Sequence, residues 1–449
     1  MLDLRSLIIA SLGLATLLLA HLWLVDAFSA ELKIAAQMQG ASWYRITMAE
    51  THVGYMHTSA ELDQEGNRHF HSTTHFLLPN GSPSTITKHL TFDSRADASL
   101  KRAHFRSRDT EVRLHKDSDG YVAEVASART TREVPLEVQY NLADFLGFEA
   151  WLESSVPGPG ATKTVRSLDF ERLAVVQRTY RVVERNEQGY LVQTNAPLAA
   201  TTTQLDTNFQ PISMSMAGLF AFERADQLTA IPAQGIEQKP ILMFDVDRRI
   251  TDHTTLRSLT LSIDPPLSGV LDDNFTLRRG TVQGHPNPAE LLHEDTRLPI
   301  RDEQIRALAM QAGDIDQPSF LTNLVSTVHQ RISYSEGRPA PDLLTALQRG
   351  YGECTDFADL LSAAARSVGV PARTIFGLAY RDAAQPKMMF HAWNEVFLEG
   401  RWQSVDPTWN QTEIDASHLP LDPIQAASLM HAHNVQPRSF TVLDYQYQD

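Results

Sequence analysis

Cys354 is the sole cysteine in 449 residues, and the residues around it read as the start of a helix. Tyr351-Gly352-Glu353-Cys354-Thr355-Asp356 leads into an apolar face of Phe357, Leu360, Leu361, Ala364, Ala365 and Val368. Gly369 and Pro371 supply the stop. Cys354 therefore falls in a first helical turn, where free N–H groups and the positive dipole end stabilise a thiolate. The same N–H groups can hold a developing oxyanion. The competing reading is a small buried core residue, a common fate of free cysteine.

A base and its orienter follow in the chain. Phe390–Leu398 and Arg401–Val405 read as strands joined by Glu399-Gly400. A two-residue loop there sets His391 opposite Thr408 and Trp393 opposite Asp406, all four projecting from one face. His391 and Asp406 become diagonal neighbours, roughly 7–8 Å apart at the backbone and within side-chain reach. A carboxylate in that position fixes the imidazole tautomer and stabilises its cation. A bulge in the turn would break the register. Nucleophile, base and orienter thus occur in the order Cys354, His391, Asp406.

Residues from about 300 to 415 resemble the transglutaminase-like superfamily of papain-like cysteine enzymes. The resemblance is carried by Tyr351-Gly352-Glu353-Cys354, Gly369-Val370-Pro371-Ala372-Arg373, His391-Ala392-Trp393-Asn394-Glu395-Val396 and Trp402-Gln403-Ser404-Val405-Asp406-Pro407-Thr408. It implies that Cys354 accepts the acyl group, His391 is the general base and Asp406 orients it, with no cofactor and no metal. It also implies the bacterial exported or membrane-anchored type. Thr355 stands where animal transglutaminases carry Trp, and no Trp occurs between Trp151 and Trp393. An upstream indole donor to the oxyanion is therefore missing, and Tyr334 or the Cys354 amide would have to serve. Arg373, Asn394, Glu395, Trp402 and Trp409 read as structural. Trp393 reads either as a shield for the His–Asp pair or as packing.

Composition narrows the remaining classes. The net charge is −15, from 39 Lys+Arg against 54 Asp+Glu, which disfavours nucleic acid and anionic membrane surfaces. One cysteine rules out an internal disulfide, an iron–sulfur cluster and any multi-cysteine zinc site. Leu7–Val25 is 19 residues without a formal charge. At ~1.5 Å per residue it spans roughly 28 Å, close to the hydrocarbon thickness of a bilayer. It is expected to anchor the chain in a membrane, with residues 28–449 outside the cytoplasm, a bacterial periplasm by the resemblance. The alternative is a signal peptide cleaved near Val25-Asp26-Ala27, leaving a secreted or periplasmic protein.

The middle of the chain is β-rich. Alternating runs at Val53–Leu62, Arg68–Leu78, Thr85–Asp93, Lys101–Arg108 and Glu111–Lys116 are separated by polar turns, as in an antiparallel meander. Tyr140–Glu153 has helical spacing. Strand patterns resume at Thr164–Phe170, Leu173–Arg185, Tyr190–Thr194, Pro211–Met216 and Phe220–Leu228. Asp119-Gly120-Tyr121-Val122 and Gln188-Gly189-Tyr190-Leu191 echo one another, although their flanking runs do not match. His69, His71, His75 and His89 cluster here. His69 and His71 share a strand face and could ligate a metal, but no further ligand recurs at fixed spacing, so a solvated face is expected.

The expected organisation is an α+β chain. Residues 1–30 form the anchor or signal, 31–235 the β-rich meander, 236–300 a strand pair with a connecting segment, and 301–449 the catalytic region, with a linker at Pro232–Pro240. In that region a Cys-bearing helix packs on an antiparallel sheet in papain-like fashion. The expected function is an exported cysteine enzyme that acts on amide bonds of a protein or peptide through a thioester, chiefly as a peptidase or amidase. A protein-glutamine transglutaminase and a non-catalytic binding or scaffold protein are the alternatives. The β-rich region would position a substrate or partner.

Overall fold

The computed structural model describes residues 31–48, 51–77, 83–94, 98–107, 110–118, 120–127, 130–136, 138–195, 200–216, 219–230, 243–336, 338 and 340–448. Leu7–Val25 and the linker expected at Pro232–Pro240 lie outside these residues. Among the described residues, no helix is long and apolar enough to cross a membrane.

Fourteen strands build the first sheet. β1 (Gly40–Met48), β2 (Thr51–Leu62), β3 (Arg68–Leu77), β4 (Pro83–Phe92), β5 (Leu100–Ser107), β6 (Thr110–Lys116), β7 (Tyr121–Ala126) and β8 (Thr131–Leu136) form one meander. β9 (Thr162–Asp169), β10 (Ala174–Asn186), β11 (Gly189–Asn195), β12 (Ala200–Leu205), β13 (Pro211–Met216) and β14 (Phe220–Ala225) form a second, and pairing of β1 with β14 joins them. Alternation places one face inside: Val112 and Leu114 on β6 and Tyr121, Ala123 and Val125 on β7 are buried. The sheet curls on itself. Phe105 of the first meander stacks on Phe170 of the second with ring centroids 5.2 Å apart, and a single apolar core includes residues of both.

Two short helices contribute to that core. Helical spacing over Tyr140–Glu153 resolves into α2 (Leu142–Phe145) and α3 (Gly147–Ser155), following α1 at residues 31–37. Asn141 starts α2 with a capping box: its side chain accepts from the Asp144 N–H at 2.9 Å, and the Asp144 carboxylate accepts from the Asn141 N–H at 3.1 Å. Leu142, Leu146, Phe148 and Leu152 point into the curled sheet.

The second sheet carries the candidate chemistry. Its strands are β15 (Met243–Val246), β16 (Leu256–Asp264), β17 (Asn274–Arg278), β20 (Ala372–Arg381), β21 (Lys387–Leu398), β22 (Arg401–Val405), β23 (His418–Pro420) and β24 (Ser439–Tyr447). The order is β17-β16-β24-β15-β21-β20-β23, with β22 on the side of β21. The segments expected as a strand pair, β15 and β16, do not pair with each other. β24 lies between them, parallel to β15 and antiparallel to β16. This correction has a simple cause: adjacent strand-like segments can be joined as well by a partner from far along the chain as by a hairpin.

After the short α4 (Gln227–Ala230), helices α5 (Glu303–Gln311), α6 (Phe320–Arg331), α7 (Leu343–Arg349) and α8 (Cys354–Ser367) share one apolar core with Ala372, Val396 and Val405 of the sheet. Leu321, Leu324, Val325, Val328 and Ile332, spaced i, i+3, i+4, i+7 and i+11 as one helical face, are buried in that core. α7 starts at Asp342, whose carboxylate accepts from the Thr345 N–H at 2.8 Å, and stops at left-handed Gly350. α9 (Pro423–Val435) contributes Leu429 to a separate core with β15, β16, β17 and β24. Residues 267–300, for which the sequence suggested no element, hold β17 and a 3-10 turn, Pro288–Leu291. They also meet the first sheet: Arg132 pairs with Glu294 and donates to the Thr296 carbonyl at 3.0 Å, while Ser127 donates to Asp342 at 2.7 Å. The protein is thus a mixed α+β chain with a β-rich N-terminal region.

Candidate active site

Cys354 occupies the first position of α8 and is partly exposed. Its N–H, as that of an N1 residue, has no intrahelical acceptor. The helix start is held by Asp356, whose carboxylate accepts from the N–H groups of Glu353 at 2.8 Å and Ala340 at 3.1 Å. Burial raises the Asp356 pKa to about 6, against the lowering effect of those two donors. Gly352 is needed for close approach rather than for turn geometry, because a Cβ there would lie 2.5 Å from the Asp356 carboxylate.

The hairpin has the expected register. Asn394 pairs with Val405, Val396 with Gln403, and Leu398 with Arg401. Glu399 and Gly400 both adopt positive φ, 54° and 76°, as a two-residue loop of the I′ kind requires. The ladder stops at Val405, and Asp406 turns aside to bridge Gln411. The His391 Nε2 and Asp406 Oδ2 atoms still lie 2.8 Å apart, with both side chains buried. The Thr408 N–H donates to the other Asp406 oxygen at 2.8 Å. Cys354 lies beside His391, where, after Asp406, it also raises the imidazole pKa. With Nε2 taken by Asp406, Nδ1 is the nitrogen left to face the sulfur. Sequence-predicted Cys354, His391 and Asp406 are thus brought together.

Electrostatics favour an imidazolium. Burial alone would lower the His391 pKa, but the charge and hydrogen bond of Asp406, reinforced by Cys354, raise it to about 10. Burial likewise works against an ionised Asp406, yet His391 and His418 hold that carboxyl well below its usual range.

His418 is the residue that sequence reasoning missed. It arrives on β23, which pairs with β20, and is fully buried. Its Nε2 lies 3.3 Å from the same Asp406 Oδ2, and its Nδ1 lies 3.4 Å from Asp415 Oδ1. The Asp415 carboxylate also accepts from the Ser417 N–H and from Gln411 Nε2, each at 2.8 Å. The available signal was Asp415-x-x-His418 shortly after Asp406. Ligand atoms of His391, Asp406 and His418 lie within 4.8 Å of one another, a spacing that a metal ion could span. The shared Asp406 oxygen is already engaged by both imidazoles, while His418 Nδ1, 3.4 Å from Asp415, makes no hydrogen bond.

Aromatic rings enclose this network. Trp409, expected as structural, stacks on His391 with centroids 4.3 Å apart and planes 13° apart. Trp393 is buried and lies edge-on to His418 at 5.1 Å. Arg373 and Glu395 form an ion pair in which Arg373 Nε lies 2.8 Å from the carboxylate. Asn394 donates to the Ala358 carbonyl at 2.7 Å and to Ser362 Oγ at 2.8 Å, fastening β21 to α8. Tyr334 reaches Cys354 through a two-residue parallel pairing of β18 (Ser333–Tyr334) with β19 (Tyr351–Gly352). Burial, then the neighbouring Cys354, raises its pKa to about 12, so it remains a neutral O–H donor.

Outside this site, His69 contacts Asp63 at 3.0 Å and His89 at 3.2 Å, and the His71 ring packs edge-on against His89. Among the described residues, these histidines do not form a metal-binding group.

The transglutaminase-like superfamily profile matches residues 306–407, a span that includes Cys354, His391 and Asp406. This segment belongs to the transglutaminase-like superfamily. Human Kyphoscoliosis peptidase is 37% identical over 67 residues, 14% of this chain and 10% of that protein. The mouse protein of the same name is 36% identical over 69 residues, with the same coverage. The chain thus spans about a tenth of the length of the curated relatives it matches. A Cytophaga hutchinsonii structure described as a candidate cysteine protease aligns with 46% of this chain and 83% of its own, at 15% identity and a TM-score of 0.27. A β-barrel-like protein from Brucella abortus aligns with 41% of this chain and 95% of its own, at 13% identity and a TM-score of 0.30. Similarity of that degree carries no conclusion about this chain. At the level of the superfamily, the transglutaminase-like core is that of a cysteine enzyme.

Proposed function

We propose that this protein is an exported cysteine enzyme that cleaves amide bonds of a protein or peptide through a thioester. The observation that carries the reading is the convergence of a helix-terminal thiol, an imidazole beside it, and a buried carboxylate 2.8 Å behind that imidazole. The Cys354 sulfur attacks the carbonyl carbon and the S–C bond forms. The oxyanion is met by the Cys354 N–H and the Tyr334 hydroxyl. His391, as the cation, passes its proton to the leaving nitrogen as the C–N bond breaks. Water then attacks the thioester while His391 takes its proton, releasing a carboxylic acid and restoring the sulfur. Asp406 keeps the imidazole oriented and balances its charge.

Hydrolysis is favoured over transfer to an amine because the site is open to water. Cys354 is partly exposed and Tyr334 is 44% exposed. Transglutaminase activity is the second reading, supported by the superfamily match. Incubation with a peptide library, with and without an added primary amine, tests both by mass spectrometry. Free acids are expected with wild type and none with Cys354→Ala. Amine adducts would favour the transferase. Identical products from both proteins would sink catalysis at Cys354. The same reading takes Leu7–Val25 as an anchor that places residues 28–449 in a bacterial periplasm. Protease accessibility in intact spheroplasts tests that placement.

A further inference from the structure

The first sheet grips the route to the nucleophile from one hairpin. β7 and the edge strand β8 turn at Ser127, whose N–H donates to the Thr130 carbonyl at 2.8 Å. Ser127 Oγ donates to the Asp342 carboxylate at 2.7 Å, and Asp342 caps α7, the helix that leads through Gly350 and β19 into Cys354. Arg132, on β8, reaches the segment 294–297. It pairs with the buried Glu294 carboxylate and donates to the carbonyls of Asp295 at 2.6 Å and Thr296 at 3.0 Å. The Thr296 N–H donates in turn to the Glu171 carbonyl at 3.0 Å, between β9 and β10 of the same sheet.

The far side of segment 294–297 is fastened to α8. Arg297 forks onto the Asp359 carboxylate, with Nε 3.1 Å from Oδ2, and Asp295 accepts from Arg366 at 3.2 Å. Asp359 lies in the second turn of α8, close behind Cys354, and also accepts from Thr374 Oγ1 of β20 at 2.7 Å. Helix, sheet and segment therefore meet at one buried carboxylate. Close packing between the regions does not make this connection. A cavity of about 570 Å³ lies there, with Ser107, Thr110 and Glu171 on one wall and Arg297, Asp359 and Thr374 on the other. The connection is a chain of charge-assisted hydrogen bonds, which fix direction as well as distance.

We propose that Arg132 and Ser127 are positioning residues for Cys354, holding the start of α8 through segment 294–297 and the α7 cap. The β-rich region is then a working part of the active site, beyond any part it plays in placing a substrate. The proposal rests on the reading of Cys354 as the nucleophile. Both residues lie far along the chain from Cys354, and neither touches the reacting atoms. An independent apolar contact, Ile424 and Ala427 of α9 against Ile46, Val53 and Phe220, keeps the two regions joined when the polar chain is cut.

The test uses the whole chain and the double variant Arg132→Met/Glu294→Leu. Removing both partners strands no buried ion, so folding should survive where Arg132→Met alone could fail. Ser127→Ala cuts the other link. Arg166→Met is the control: Arg166 bonds Asp144 at 3.0 Å within the β-rich region, with no link to α8. In the double variant, iodoacetamide labelling of Cys354 at pH 7 should slow about fivefold. Its pH midpoint should move towards that of an ordinary thiol, near 8.5. Peptide turnover should fall in kcat with KM unchanged. Hydrogen exchange should quicken in α7 and the first turns of α8 in both the double variant and Ser127→Ala, and not in the control. Labelling and exchange need no substrate, so a wild type that turns over no peptide would sink the proposed chemistry and leave this test standing. Exchange in α7 and α8 as slow as in wild type, or an equal change in the control, would overturn the proposal.

Discussion

His418 and His391 meet the same oxygen of Asp406, at 3.3 Å and 2.8 Å. One carboxylate thus holds two buried imidazoles, and Asp415 flanks the second. Under the proposed chemistry His418 acts only through Asp406, as a positioning residue. Replacing it with Asn removes a donor from a buried carboxylate, which costs ~3 kcal/mol or more when a buried pair is broken. His418→Asn should lower the melting temperature and slow iodoacetamide labelling of Cys354 about tenfold at neutral pH. Unchanged labelling in a folded variant would assign His418 a packing role only.

The His391–Asp406 pair sets a pH window. The folded-state pKa of His391 is raised to about 10 from an ordinary value near 6.5. Its contribution to stability is therefore complete below ~6.5 and disappears as pH rises through 10. Asp406 is depressed, so its share is complete above the usual carboxylate range and is lost in strong acid. Imidazole proton resonances should titrate near pH 10 in wild type and several units lower in Asp406→Asn. Titration near 6.5 in both proteins would contradict the paired geometry.

Asn394 ties the strand of the imidazole to the helix of the thiol. Asn394→Leu would strand the Ala358 carbonyl and Ser362 hydroxyl without that donor, costing ~2 kcal/mol. The expected outcome is a lower melting temperature together with a turnover loss exceeding the folded-fraction loss. A loss that tracks folding alone would mean that the tether does not set the thiol–imidazole distance.

Gly352→Ala tests the helix start. The added methyl would meet the Asp356 carboxylate, whose two backbone acceptor contacts define the turn ahead of Cys354. Cys354 labelling should fall severalfold, with Gly350→Asn, at a position whose positive φ asparagine tolerates, as a nearly neutral control. Equal labelling of both variants would show that the close contact is dispensable.

Glu149 bears on stability alone. Burial raises its pKa to about 7, so stability falls as pH climbs from ~4.5 to 7 and the carboxylate is forced to ionise. Glu149→Gln should be more stable than wild type in chemical denaturation at pH 8 and indistinguishable at pH 4. The reverse order would place a compensating cation beside it.

The parts of the site readable in the sequence are those with local causes. Glu399-Gly400 dictates a two-residue loop, the loop dictates register, and register delivers His391 to Asp406. Gly350 and Asp342 likewise mark the ends of α7. What was not readable depends on distant pairing. His418 is a single histidine on a three-residue strand, and only pairing with β20 brings it to Asp406. Trp409 lies beyond the hairpin ladder, where no periodicity applies, so its stacking on His391 follows from the turn that Asp406 makes towards Gln411. The placement of β24 between β15 and β16 joins segments about 190 residues apart and has no local signature.

That placement of β24 has a temporal consequence. The meanders pair neighbour with neighbour and can zip up as they leave the ribosome, whereas the other sheet must wait for Ser439–Tyr447 before its middle is filled. β15, which flanks the imidazole-bearing β21, has β24 as its other partner. The strand beside the imidazole-bearing β21 therefore gains its second neighbour only once the last strand of the sheet has been made.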